Sequence, residues 1–319
     1  MEQNPVIWLV IPCYNEEQVL PKTAPQFESI IQTLINEKEI APLSKVLFVN
    51  DGSKDTTWDI ICKLSERSPI IEGISLSRNR GHQNALLAGL MEAQHKCDAT
   101  ISIDCDGQDD ISKITDMIHC YKEGYEVVYG VRNSRDTDTF FKRFSAESFY
   151  KLLNALGANV VYNHADYRLM GSKALAGLQE FHEVNLFLRG MVPLVGYPST
   201  TVEYKREERI AGESHYPLTK MLHLAFDGIT SLSEKPIHFI TGAGLLFSLL
   251  GFIGIIWALI NVAVQHAVTG WASIICIICF FGGVQLIALG IIGEYIGKIY
   301  LEVKHRPRFI VAQRTWDDN

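Results

Sequence analysis

The sequence predicts an α/β domain with a mainly parallel sheet, followed by interfacial helices and two transmembrane helices. Two observations carry that fold class. Strand-like apolar runs alternate with helix-like ones from Val6 to Val131. Two uncharged runs, 237–264 and 272–293, then each exceed the roughly 20 residues an α-helix needs to cross a bilayer. A pair of buried core helices is the bland alternative, although soluble core helices seldom run this long without a charge. In chain order, strands are expected at 6–11, 45–50, 70–76, 99–104 and 126–131. Helices are expected between them at 19–37, 56–65, 83–93 and 112–122, with Asp55 and Ser112 as N-caps.

The chain has 319 residues, enough for one large domain and an appendage. Its net charge of -7, with no basic stripe bearing interleaved aromatics, argues against a nucleic-acid partner. The N-terminus Met1–Pro5 has neither a basic region nor a signal-type apolar core, so the large domain is expected in the cytosol. Cys13, Cys62, Cys97, Cys105 and Cys120 show no zinc spacing and read as reduced thiols. Cys276 and Cys279 lie inside an apolar run, where packing is a better reading than redox chemistry.

The flanks of the apolar runs set a topology. Lys220 and Lys235 precede the first, Lys298, Lys304, Arg306 and Arg308 follow the second, and the loop 265–271 has no Lys or Arg. By the positive-inside rule both termini are cytoplasmic, giving a multi-pass protein of the inner or plasma membrane with its large domain on the cytoplasmic face. Trp257 and Trp271 fall near the outer interface, and Glu294 at the cytoplasmic end of the second span. Ahead of the first span, Leu218, Met221, Leu222, Ala225, Ile229 and Leu232 recur at helical spacing. That helix either lies along the membrane surface or packs on the domain, and 140–156 offers the same choice. The expected division is 1–216 for the cytosolic domain, 217–235 for a juxtamembrane helix, 236–300 for the hairpin and 301–319 for a cytosolic tail. Glycines from Gly242 to Gly297 would permit close helix packing in a homo-oligomer.

Polar clusters fall just after the first, second and fourth strands: Pro12-Cys-Tyr-Asn-Glu-Glu17, Asp51-Gly-Ser-Lys-Asp-Thr56 and Asp104-Cys-Asp-Gly-Gln108. Ligands of open α/β sheets bind beyond the carboxyl ends of the strands, so a nucleotide site is expected at that edge. Each cluster alone also reads as a turn or helix cap; three together strain that reading. If the strand persists, Ser102, Asp104 and Asp106 share a face. Carboxylates and an amide there offer hard oxygen ligands to Mg²⁺ or Mn²⁺. Neither Gly-x-Gly-x-x-Gly after the first strand nor Gly-x-x-x-x-Gly-Lys-Ser/Thr occurs, which disfavours a dinucleotide fold and a P-loop NTPase.

Taken in order with Ser77-Arg-Asn-Arg-Gly-His-Gln-Asn84, Gly130-Val-Arg132, Ala165-Asp-Tyr-Arg-Leu-Met170, Leu188-Arg-Gly190 and the stretch from Tyr204 to Ser214, these motifs resemble glycosyltransferase family 2 over nearly the whole chain. Within it the chain is similar to the polyprenyl-phosphate glycosyltransferases that carry a C-terminal membrane hairpin, bactoprenol glucosyltransferases and dolichyl-phosphate mannose synthases among them. The resemblance implies a GT-A, Rossmann-like domain for nucleotide-diphospho-sugars. It implies inverting transfer of one sugar, glucose first and N-acetylglucosamine next, from a UDP-sugar (or GDP-sugar) to polyprenyl (undecaprenyl) phosphate at the cytosolic face of the bilayer. The product would donate that sugar to cell-envelope glycan.

By the same resemblance Pro12, Tyr14, Glu16, Asp51, Ser53 and Asp104 would hold the nucleotide. Asp104, Asp106 and Gln108 would hold the divalent metal, and Asp166, with Asp106, would be catalytic. Arg132, Arg143, Arg206 and Arg209 would grip phosphates, with Arg135 and Lys142 near enough to substitute. This chain departs from the family in having Cys105 for a small residue and His215 for a Lys. Asp166 is expected to orient sugar or acceptor more than to abstract a proton. A GDP-mannose enzyme and a catalytically silent sugar-nucleotide binding protein are the alternatives. A processive synthase lacks support, because Gln313-Arg-Thr-Trp316 has the wrong spacing for its Gln-x-x-Arg-Trp motif. A channel is least expected, because the spans carry no polar stripe.

Overall fold

The computed structural model describes residues 4–132, 164–184, 187–205, 235–263 and 271–317. The first half alternates β1 (Ile7–Cys13), α1 (Leu20–Asn36), β2 (Lys45–Asn50), α2 (Thr57–Arg67), β3 (Ile71–Leu76), α3 (His82–Ala93), β4 (Ala99–Ser102), α4 (Lys113–Lys122) and β5 (Val127–Arg132). There follow β6 (His164–Gly171), α5 (Ser172–Gln179), α6 (Leu188–Leu194), β7 (Ser199–Tyr204), the long helices α7 (Lys235–Ala263) and α8 (Trp271–Val303), and β8 (Val311–Arg314). All nine elements expected from the first half are present.

The described strands form one sheet in the order β7-β5-β6-β4-β1-β2-β3-β8. Pairs β1–β2, β1–β4, β2–β3 and β5–β7 are parallel, whereas β6 is antiparallel to β4 and β5, and β8 to β3. The period-two pattern of β1 explains the layering. Ile7, Leu9 and Ile11 join the core beneath α1, α2 and α4 with Phe27, Ile31 and Met117. Trp8 and Val10 join a second core beneath α3, α5 and α6 with Leu87, Leu175 and Met191. In both cores each fully buried large aliphatic side chain contributes roughly 1.5–3 kcal/mol.

Three local expectations are corrected. Helix α4 has no side-chain cap from Ser112, whose backbone is already helical. Instead Asp110 Oδ1 accepts from the Ser112 N–H and hydroxyl. Strand β4 ends at Ser102, so its alternation does not extend to Asp104 and Asp106. The Ser102 hydroxyl turns inward and donates to the carbonyls of Asp166 and Arg168 on β6. The expected cap at Asp55 falls one residue early: the N-cap of α2 is Thr56, though Asp55 Oδ1 still accepts the Thr57 N–H at 3.0 Å.

Windows of α7 (Lys235–Ile253) and α8 (Phe280–Val303) are long and apolar enough to cross a membrane, and none of either window is buried. That exposure sets both windows apart from the buried helices of the domain. Phe239 is 78% exposed and Leu286 71%, surfaces that water does not tolerate in such runs. The chain after α8 returns to the domain. Ser77 N–H donates to the Ile310 carbonyl, β8 covers the β3 edge, and Arg314 pairs with both oxygens of Glu92. Lys96 Nζ lies 4.1 Å from the Trp316 ring centre and 5.4 Å from that of Trp8.

Candidate active site

Because β4, β1 and β2 are adjacent and parallel, their carboxyl ends bring Pro12, Tyr14, Glu16, Asp51, Ser53, Asp104, Asp106 and Gln108 to one sheet edge. Asp166 reaches that edge by a different route. Strand β6 runs the other way, pairing Ser102 with Arg168, so Asp166, two residues before that pair, lies on the side where Asp104 follows β4. An antiparallel strand inserted between parallel ones thus contributes its first residues where its neighbours contribute their last.

The nucleotide-side loops brace one another. Ser53 Oγ accepts the Asn15 N–H at 2.9 Å, and Asn15 Oδ1 accepts the Lys54 N–H at 2.9 Å. Glu16 N–H donates to Thr57 Oγ1 at 2.8 Å. Buried Asp51 accepts the N–H groups of Arg80 (2.7 Å) and Gly81 (2.9 Å), which ties the end of β2 to the loop opening α3. Burial pushes its carboxyl up, against the lowering effect of those two bonds. Gly52 (φ +62) passes so close to that loop that a Cβ would sit 2.5 Å from the Arg78 carbonyl carbon. Tyr14 remains 41% exposed, its ring available as a stacking face.

Asp166 is the electrostatic centre. Arg189 grips both its oxygens, Nε to Oδ1 at 3.2 Å and NH2 to Oδ2 at 3.0 Å, and buried Arg168 donates to Oδ1 at 2.8 Å. His82 Nε2 stands 3.4 Å from Asp166 Oδ2 and 3.6 Å from Asp104 Oδ1, bridging the two carboxylates. Burial alone would raise the Asp166 carboxyl, yet His82, Arg189 and Arg168 together hold it well below the usual carboxylate range. It is therefore a poor base and a strong acceptor. For His82 burial lowers the imidazole pKa, but the two carboxylates outweigh it and the net shift is upward.

Asp104 has the opposite environment. Burial raises its carboxyl, and the charges of Asp166 and Asp106 add to that against His82 and Arg189. Asp106 Oδ1 accepts the Gln108 N–H at 3.1 Å, closing the turn that presents both side chains. Next along the chain, buried Asp109 accepts the Tyr204 hydroxyl at 2.6 Å, and burial with the Asp104 charge pushes it up to about 6. Arg132 donates from Nε to the same Tyr204 hydroxyl at 3.2 Å and brings NH2 within 3.9 Å of Asp109, so its guanidinium is fixed from behind.

Arg143, Arg206 and Arg209 lie outside the described residues, as do the amphipathic stretches 140–156 and 217–234. Among the residues now in the site that received no role from sequence are His82 and Arg189. Both stood in recognised motifs; what was missing was their partners, distant in sequence and joined only by the sheet order.

Glycosyl transferase family 2 matches residues 8–178. An uncharacterized glycosyltransferase, YkoT of Bacillus subtilis (strain 168), is 51% identical over 310 residues, covering 97% of this chain and 92% of that protein. The bactoprenol glucosyl transferase of Shigella phage SfV is 40% identical over 311 residues, 96% of this chain and 97% of that protein. A prophage bactoprenol glucosyl transferase homolog of Escherichia coli (strain K12) is 38% identical over 312 residues, 96% and 98% of the two chains. A solved mannosyltransferase, PcManGT from Pyrobaculum calidifontis in complex with GDP-Man and Mn²⁺, is similar at TM-score 0.44 and 14% identity over 94% of this chain and 86% of its own. With the family matched from β1 through α5 and relatives alike from end to end, the chain belongs to glycosyl transferase family 2.

Proposed function

We propose that this chain transfers one glucose from UDP-glucose to polyprenyl phosphate, with inversion, at the cytosolic face of the membrane. The observation that carries this reading is the 40% identity, over nearly the whole of both chains, to a protein named bactoprenol glucosyl transferase. The site supports it chemically. A sugar nucleotide needs its leaving diphosphate neutralised, and a lipid phosphate needs to be held beside the sugar. Carboxylates, guanidinium groups and an imidazole meet at one sheet edge for both tasks.

Asp104, Asp106 and Gln108 would hold Mg²⁺ or Mn²⁺. The donor set fits: all are hard oxygen ligands, and Asp104, raised by burial and then by the charges of Asp166 and Asp106, gains from a neighbouring cation. Among the described residues no three His, Cys, Asp or Glu side chains form a closed cage. Two carboxylates and an amide leave room for phosphate oxygens and water. When bound, the ion supplies charge neutralisation at the leaving diphosphate.

The other roles follow from this chain's residues. A phosphate monoester has a second pKa of about 6, so the acceptor is largely a dianion at neutral pH. One of its oxygens attacks the anomeric carbon as the bond from that carbon to the UDP oxygen breaks, and the electron pair leaves with UDP. No proton needs removing. Asp166, held ionised by Arg189, Arg168 and His82, orients the sugar hydroxyls instead. Arg132, and the half-exposed edge of Arg189, grip phosphate oxygens bidentately. Helices α7 and α8 keep the domain at the headgroup plane, where the acceptor phosphate is confined. The Lys and Arg flanks favour the cytosolic side.

Identification of the product tests this reading. Purified protein incubated with UDP-glucose, undecaprenyl phosphate and Mn²⁺ should yield a single acid-labile glucosyl phospholipid with the β-anomeric configuration. An α-linked product, or chains of several sugars, would contradict it.

A further inference from the structure

The second apolar helix does more than hold the domain near the bilayer: its last turn is bonded to the segment that leads to Arg189, which grips Asp166. Glu302, in the final turn of α8, accepts the Val184 N–H on both carboxylate oxygens, at 2.8 and 2.9 Å. Just beyond the helix, Arg308 NH1 donates to the Phe181 carbonyl at 2.8 Å. The segment 181–184 is thus fastened at both ends to the end of α8. Arg189, five residues after Val184, is the group that grips both oxygens of Asp166. Its neighbour Leu188 donates its N–H to Gln83 Oε1 at 3.0 Å, next to His82. The segment fastened to the end of α8 is therefore followed, five residues on, by the guanidinium that grips the central carboxylate.

An acid in the last turn of a helix faces the negative end of the helix dipole and is unfavourable unless donors compensate. Glu302 occupies such a place and is compensated by the Val184 amide, with the Arg308 charge close by. Helix position in the bilayer is set by hydrophobic matching and interfacial anchors, and a lipid phosphate is confined to the headgroup plane. A fixed joint between α8 and the site would hold Asp166 at one height relative to that phosphate.

We propose that Glu302 is a positioning residue that sets the register between the membrane helix and Asp166, and so aligns the site with a lipid-borne phosphate acceptor. The proposal rests on the acceptor reading above. It is tested on full-length protein in vesicles, with Glu302→Ala and Glu302→Gln compared with wild type. Hydrogen exchange comes first: Glu302→Ala should speed exchange of the Val184 amide, and unchanged exchange would overturn the joint, whatever the acceptor. In turnover, Glu302→Ala should lower kcat with undecaprenyl phosphate by about tenfold or more, as small misalignments do. KM for UDP-glucose should stay unchanged. Glu302→Gln, which keeps an acceptor oxygen for Val184, should recover most of the rate. A short, freely soluble polyprenyl phosphate should show a smaller loss. Equal losses with both acceptors and no recovery by Gln would overturn the positioning role, as would unchanged turnover. Should Glu302→Ala fail to fold, Arg308→Met cuts the second fastening and carries the same comparison. Faster Val184 exchange with a wild type that transfers to no polyprenyl phosphate would instead contradict the acceptor reading.

Discussion

Asp166 and Asp104 both face His82, yet their surroundings drive them apart: the first is held ionised by cations, the second is pushed up by burial and by neighbouring negative charge. Their losses should therefore differ from that of Asp106 in kind. Asp106→Ala should lower metal-dependent transfer by about 100-fold or more, since even groups supporting a metal ligand typically cost 10–100-fold. The far-ultraviolet spectrum should not move and the unfolding temperature should move little, because Asp106 is only partly buried in a short turn. Near-normal turnover would remove the metal assignment. Asp166→Asn should cost less in rate, about 10- to 100-fold, as expected for an orienting group. It should cost more in stability. Arg168 is 1% exposed, and removing its counter-charge leaves a buried cation at roughly 3 kcal/mol. Thermal unfolding of the two variants side by side reads this inversion, and an unshifted Asp166→Asn midpoint would contradict it.

Helix α3 carries His82 into the site, and its seat on the sheet depends on one residue. At Gly89 a Cβ would meet Val10 Cγ1 at 2.4 Å and Val49 Cγ2 at 2.6 Å. Alanine normally gains up to about 1 kcal/mol over glycine in a helix. Here overpacking should reverse the sign, and Gly89→Ala should destabilise by about 1–3 kcal/mol in urea unfolding. Stabilisation would mean the helix lifts without cost. Most of this architecture was legible in sequence, because β1 to β5 and α1 to α4 alternate cleanly and each buries an apolar face. Strand β6 was not, because His164-Ala-Asp-Tyr-Arg-Leu-Met-Gly171 puts a carboxylate and a guanidinium at buried positions, where they satisfy each other. Nor was β8, four residues with polar Gln313 and Arg314 that pair only at an edge. The site was legible as three clusters at one edge. Its cationic half was not, because His82 and Arg189 acquire their roles only once β6 is placed.

In the whole molecule the C-terminal tail closes the circuit from the end of α8 back to the sheet. Removing 237–319 would therefore strip β8 and bare the β3 edge as well as delete the hairpin, and would report on both at once. The tail's own hold depends on pH through Glu92. Burial would raise this carboxyl, but its bonds to Arg314 and Lys96 bring it below its ordinary value. Its contribution is thus present above the unfolded value of about 4.3 and lost as pH falls through the lower folded one. Protease access to 311–317 should rise only below about pH 4, and Glu92→Gln should raise it at neutral pH and flatten the dependence. Release on raising the pH would contradict that sign. The most direct test of the account is a donor comparison in membranes. Labelled UDP-glucose, UDP-N-acetylglucosamine and GDP-mannose would be supplied in parallel with undecaprenyl phosphate and Mg²⁺ or Mn²⁺. Label should pass into the lipid phase from UDP-glucose, dependent on the metal and on Asp106. Transfer from GDP-mannose alone, or no lipid product from any donor despite nucleotide binding, would contradict it.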